Sequence, residues 1–141
     1  MKNKTTLLVA TVILLFEFSL QAQSVSSDTN SDKLVIVWTS DDPYTAERMV
    51  LMYGHAAKTA GWFDEVTLII WGPSAKMVAE NINIQEKLKD MQNDGVEIRA
   101  CIVCANMYEV TEELKSLGLD VQAMGVPLTN YLKKGAHVLT F

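Results

Sequence analysis

The chain has no cluster of lysines and arginines, and its formal net charge is −5. That balance excludes the electrostatic footprint of a nucleic-acid-binding protein. Its seven glycines never fall into the pattern that cradles phosphate, so no nucleotide loop is present. Nothing suggests flavin or haem. Cysteine is scarce: Cys101 and Cys104 are the only two. Such a pair supplies half of a tetrahedral zinc site, and neither His55 nor His137 stands at ligand spacing from it. No cofactor and no metal are therefore expected. No cysteine closely follows the apolar N-terminal stretch, which leaves a lipoprotein anchor without an attachment point.

What is present starts with a segment unlike the rest. Lys2 and Lys4 precede an apolar stretch from Leu7 to Leu20, interrupted by Thr11, Glu17 and Ser19. Gln21-Ala22-Gln23-Ser24 then offers small residues for cleavage. This is the order of a secretory signal peptide over residues 1–23. A spanning helix needs about 20 apolar residues, and the stretch is shorter. The expectation is a periplasmic or secreted protein with no stable membrane insertion after cleavage; a retained anchor is the alternative. Cleavage removes two positive charges and one negative charge, taking the formal charge from −5 to −6. Residues 24–32 are polar and patternless, as in a flexible leader, and residues 33–141 have the length of one domain. An oxidising compartment would permit a disulfide between the two cysteines.

Within the domain, short apolar runs alternate with helical spacing. Leu34–Trp38 and Glu65–Trp71 are β-branched and aromatic, the mark of strands buried on both faces. Asp42 and Pro43 open a helix whose apolar positions are Ala46, Met49, Val50, Tyr53, Ala57 and Ala60, closed by Gly61. A second helical segment within 74–93 carries Val78, Ile82, Ile84, Leu88 and Met91, with a break expected at Asn81-Ile82-Asn83-Ile84. Val96–Ile102 is the third strand. Asn106 with Glu109 resembles a capping box that opens a helix reaching Leu117. Asp120–Met124, a helix over Val126–Lys134 and a strand over Ala136–Phe141 complete the pattern. No internal repeat interrupts it.

This alternation predicts an α/β fold: a three-layer α/β/α sandwich with a five-stranded, mostly parallel sheet. In such sheets ligands bind beyond the carboxyl ends of the strands. The loops at Thr39–Pro43, Trp71–Ser74, Cys101–Asn106 and Met124–Thr129 meet there, so the cysteine pair falls on the expected active edge.

Four stretches together resemble the DsrE-like family across residues 33–141. They are Leu34-Val-Ile-Val-Trp-Thr-Ser-Asp-Asp-Pro43, Asp64-Glu-Val-Thr-Leu-Ile-Ile-Trp-Gly-Pro-Ser-Ala75, Val96-Glu-Ile-Arg-Ala-Cys-Ile-Val-Cys-Ala105 and Met124-Gly-Val-Pro-Leu-Thr129. The resemblance implies a five-stranded parallel sheet between helices and assembly into homo-trimers or hexamers. It also implies a cysteine after the third strand that carries sulfur as a persulfide. In relatives that cysteine lies nine residues before an apolar residue preceded by Arg-Gly. Counting back nine from Val110 reaches Cys101. Tyr108 and Glu109 replace the Arg-Gly pair, which removes a positive charge and adds a negative one. Relatives relay sulfur inside the cell, whereas this chain carries an export signal.

The pair admits three readings. Cys101 carries persulfide sulfur with Cys104 assisting, exchanging it with a donor or acceptor protein or a small thiol. The two thiols cycle through a disulfide with exported proteins. Or the protein is an oligomeric binding scaffold whose thiol pair is structural. A Trp-Cys-x-x-Cys context is missing, and Pro127 stands near the edge with its isomer unreadable. Glu109, Glu112 and Glu113 oppose any lowering of a thiol pKa by the following helix. Asp41 and Asp42 read as a cation site, as holders of a substrate amine or, more simply, as a helix cap; Ser74 reads as an anion-binding hydroxyl or a cap. His55 reads as a surface or interface histidine, and His137 lies away from the edge. Met49, Met52 and Tyr53 read as core, Met52 alternatively as interface. Trp71 and Tyr108 are expected to flank the site.

Overall fold

The computed structural model describes residues 32–141; the expected signal peptide (1–23) and nearly all of the expected leader (24–32) lie outside them. Five strands form one sheet in the order β4-β3-β2-β1-β5, and every pairing is parallel. β1 (Lys33–Trp38) and β2 (Glu65–Ile70) lie at its centre. Each has five consecutive buried residues, because layers cover both faces of the sheet there. At about 1.5–3 kcal/mol for each fully buried large aliphatic side chain, these two strands supply much of the driving force for folding. β3 (Glu97–Cys101), β4 (Asp120–Gln122) and β5 (His137–Thr140) flank them.

Steps from β1 to β2, β3 and β4 all move in one direction, so right-handed crossovers place helices α1 to α5 on one face. The return from β4 to β5 runs the other way and puts α6 (Gly125–Lys133) alone on the second face. There Tyr131 lies under Lys33, whose Nζ stands 4.7 Å from the ring centroid. Glu97, on the same face, accepts from Thr67 Oγ1 at 2.8 Å and pairs with Arg99. Burial raises the Glu97 carboxyl pKa, but the hydrogen bonds from Arg99 and Thr67 outweigh it and hold the group below its ordinary range.

Helix α1 spans 43–59 and starts as sequence chemistry dictates: Asp42 caps it by accepting from Thr45 N at 2.7 Å, and Pro43 sits at its start. Its middle, Ala46–Leu51, is π-helical. The wider turn shifts the apolar stripe to Ala46, Val50, Leu51, Gly54 and Ala57. Met49 and Met52, expected in the core, are thereby rotated out to 48% and 60% exposure. Tyr53 is half-buried against Trp62. Gly54 allows the helix to lie close on β1, since a Cβ there would stand 3.0 Å from Ile36 Cδ1.

The expected break within 74–93 is real. α2 (Ser74–Glu80) stops at Asn81, whose Oδ1 accepts from Asn83 N and Ile84 N to cap α3 (Ile82–Asn93). Ile82, expected to be apolar core, is on the exposed side of that new start. A second correction concerns the segment after β3. Asn106 does not open a helix, because α4 (Ile102–Met107) has already begun directly after Cys101. Glu109 then takes a left-handed φ of 58°, the chain breaks, and α5 (Thr111–Ser116) restarts. Asn106 instead accepts from Thr111 Oγ1 at 2.7 Å across the break.

Left-handed backbone costs a non-glycine residue about 1 kcal/mol. Glu109→Gly should therefore raise unfolding free energy by about 0.5–1 kcal/mol in urea denaturation, while Glu109→Ala gives no gain.

Candidate thiol site at the carboxyl edge

Cys101 ends β3 and stands at the N-cap position of α4, where its side chain makes no capping bond. Cys104 follows in the first turn of that helix. Both thiols are free, with residue exposures of 3% and 9%. Their side chains lie close enough to influence each other, and the Gly72 backbone amide lies near the Cys104 sulfur. Burial is the largest influence on Cys104 and pushes its pKa up; Cys101 pushes the same way, and the Gly72 amide only partly opposes them. Cys104 is thus held as a neutral thiol at neutral pH.

Gly72 reaches Cys104 because of the turn that follows β2. A left-handed φ of 71° at Gly72 reverses the chain, and Ser74 locks the turn. Ser74 is wholly buried, and its hydroxyl donates to the Trp38 carbonyl at 2.6 Å and receives the Trp71 amide at 3.1 Å. It is neither an exposed anion-binding hydroxyl nor the cap of α2; Pro73 occupies the cap position. The constraint is that a turn between two central strands must satisfy its buried polar groups, and Ser74 does so.

The other sequence-predicted residues separate into near and remote groups. Asp41 and Tyr108 share a cavity of about 500 Å3 with Pro73, Lys76, Glu80 and Asn81. Tyr108 is tied to the pair through its amide, which donates to the Cys104 carbonyl at 3.0 Å. Trp71 is half-buried against the core. His55 is remote: it joins α1 to the end of α3 through a 2.6 Å contact between Nε2 and Asp94 Oδ2. His137 packs on Phe63 at the start of β5, with ring centroids 5.6 Å apart. No described peptide bond is cis, so Pro127 is trans.

Lys76 went unremarked in the sequence because it sits at an ordinary exposed helical position. Gly72 was missed as a sulfur partner for another reason. A backbone amide is identical in every residue, so only the folded turn reveals where it points. The buried Trp38 indole N–H, at the carboxyl end of β1, has no hydrogen-bond partner among the described residues.

An all-parallel five-stranded sheet with a free thiol pair where its third strand meets a helix defines a narrow class of α/β protein. The DsrE/DsrF-like family profile matches residues 32–141, and the chain belongs to that family. It is similar to a conserved protein of unknown function from Bacteroides thetaiotaomicron, BT1422, at 38% identity and a TM-score of 0.75. That likeness covers 78% of this chain and 95% of the other. The ychN protein from E. coli shares the fold at 20% identity and a TM-score of 0.58, covering 77% of this chain and 98% of its own. No curated protein matches.

Ser74→Ala should lower unfolding free energy by about 0.5–1.5 kcal/mol, the net worth of a buried hydrogen bond, since the direct bond from the Trp71 amide to the Trp38 carbonyl keeps both groups paired. Urea denaturation measures this, and an unchanged midpoint would show that the hydroxyl is dispensable.

Proposed function

We propose that the domain carries sulfane sulfur on Cys101, with Cys104 as the assisting thiol. The observation that supports this reading is the contact between two free thiols at the carboxyl end of β3, the edge where parallel α/β sheets do their chemistry. Family membership is consistent with it. In the loading step the Cys101 thiolate attacks the outer sulfur of a persulfide donor. The donor's S–S bond breaks, its thiolate leaves and takes up a proton, and Cys101 holds the extra sulfur as –S–SH. An acceptor thiolate then attacks that outer sulfur and regenerates Cys101. Alternatively, the Cys104 thiol gives its proton to the departing sulfur as its own sulfur attacks the inner one, which expels hydrogen sulfide and leaves a Cys101–Cys104 disulfide. An external thiol must then reduce that disulfide.

The reading includes export, so that donor and acceptor, protein or small thiol, lie outside the cytoplasm. It also includes a homo-oligomer, trimer or hexamer, for which exposed Met49 and Met52 on α1 supply apolar surface. Light scattering of the full chain checks the assembly; a monomer at all concentrations contradicts it.

Low thiol exposure favours one competing reading, an oligomeric scaffold whose cysteines are architecture. The two diverge on intact mass after treatment with inorganic polysulfide. Sulfur carriage requires a reductant-labile gain of one sulfur that disappears in Cys101→Ser, while Cys104→Ser loads but discharges differently. Retained loading in Cys101→Ser would remove Cys101 from the role. Under the scaffold reading neither variant changes mass behaviour, and both lose only stability.

A further inference from the structure

The cavity beside the thiol pair has a composition that selects its ligand. Its wall brings together the loop after β1 at Asp41, the start of α2 at Pro73 and Lys76, the α2–α3 junction at Asn81 and the end of α4 at Tyr108. Its volume of about 500 Å3 falls within the range of about 300–1,000 Å3 typical of small-molecule sites. The charges in the wall are of both signs. Asp41 is exposed and has no ion pair or hydrogen bond from its carboxylate among the described residues. Lys76 presents an ammonium whose pairing with Glu80 is long, 3.8 Å, and solvent-exposed on both sides. Such a pair contributes little and yields readily to a better partner. Asn81 spends its Oδ1 on the α3 cap, and its amide nitrogen adds a donor to the wall.

The cavity borders the segments that carry the thiols. Pro73 follows Gly72, whose amide lies near Cys104, and Tyr108 donates its amide to the Cys104 carbonyl. A ligand seated there lies against the two segments that hold Cys104 in place.

We propose that this cavity binds the charged end of a zwitterionic low-molecular-weight thiol of amino-acid or short-peptide size. Lys76 receives the ligand carboxylate, and Asp41 receives its ammonium. The assignment rests on the sulfur-carrying reading for its purpose: the bound molecule, as a persulfide, is the donor whose outer sulfur passes to the protein thiolate while its own thiolate leaves. Binding itself does not depend on that reaction. A small ligand also suits thiols that are 3% and 9% exposed, since a protein cysteine on a folded partner would have to displace more of the edge to reach them.

The test uses S-methylcysteine and S-methylglutathione, which carry both charges and cannot transfer sulfur. Titration into the full chain by ligand-observed NMR should give saturable binding. 2-(Methylthio)ethanol, which lacks both charges, should not bind. Asp41→Asn and Lys76→Gln should each weaken binding about two- to fivefold, the scale of exposed charge pairs. Lys115→Gln, a cation on α5 outside the cavity, should leave it unchanged. Equal binding of the uncharged probe, or affinity indifferent to both substitutions, overturns the proposal, as does the absence of binding by either zwitterion. Loading of the unsubstituted chain by inorganic polysulfide is measured alongside. Polysulfide loading without zwitterion binding removes the cavity assignment and keeps sulfur carriage. Zwitterion binding without loading by polysulfide or by cysteine persulfide keeps the cavity and removes the carrier.

Discussion

The Ser74 hydroxyl bonds both the Trp38 carbonyl and the Trp71 amide, beside the direct bond of 2.9 Å between those two groups, and this buried knot anchors the turn that borders the thiol pair. β1 and β2 end side by side, with the Trp71 amide donating to the Trp38 carbonyl. The buried Ser74 hydroxyl adds bonds to both groups and to the Trp71 carbonyl, which holds the Trp71-Gly72-Pro73 turn. Its path brings the Gly72 amide near Cys104. Cys104 in turn lies close to Cys101, which is itself the last residue of β3. The turn after β2 thus connects the centre of the sheet to the thiol edge.

Burial on both faces makes this arrangement possible. Three crossovers in one direction stack α1 to α5 on one side, and α6 returns along the other. The centre of the sheet is dry, so backbone bonds there are strong and unsatisfied groups costly. Toward the α6 side the sheet turns polar, with Lys33, Glu65, Glu97 and Arg99 in contact with one another. Glu97 keeps its charge because Arg99 and Thr67 bond it. Its folded pKa lies below the unfolded value. The stability it adds is therefore present above the ordinary carboxylate range and is lost as pH falls through the folded value.

Much of this was legible in the sequence, for physical reasons that differ by element. β1 and β2 were readable because a strand buried on both faces admits only apolar residues. Asp42-Pro43 and Asn81 were readable because a cap is local chemistry. The α1 stripe was misread at Met49, since a π-helical turn changes the period without changing composition. Asn106 was misread as a cap because Asn-x-x-Glu fits the pattern, and nothing local reveals that the helix had already started at Ile102. Glu109 hid its left-handed conformation, which glycine would have announced. The cysteine pair was placed correctly on the edge by the strand pattern. Its burial and its nearness to Gly72 arise from residues distant in the chain.

Burial gives the thiols a double character. It holds Cys104 neutral and shields both sulfurs from bulky reagents, and the same shielding would protect a persulfide from water and oxidants. An extra sulfur on Cys101 should therefore survive isolation. The most direct measurement is peptide mass mapping of the chain purified without reductant or oxygen from the cells that make it. A reductant-labile extra sulfur on the peptide bearing Cys101 is the predicted result. Plain thiols or a Cys101–Cys104 disulfide in every preparation would contradict it.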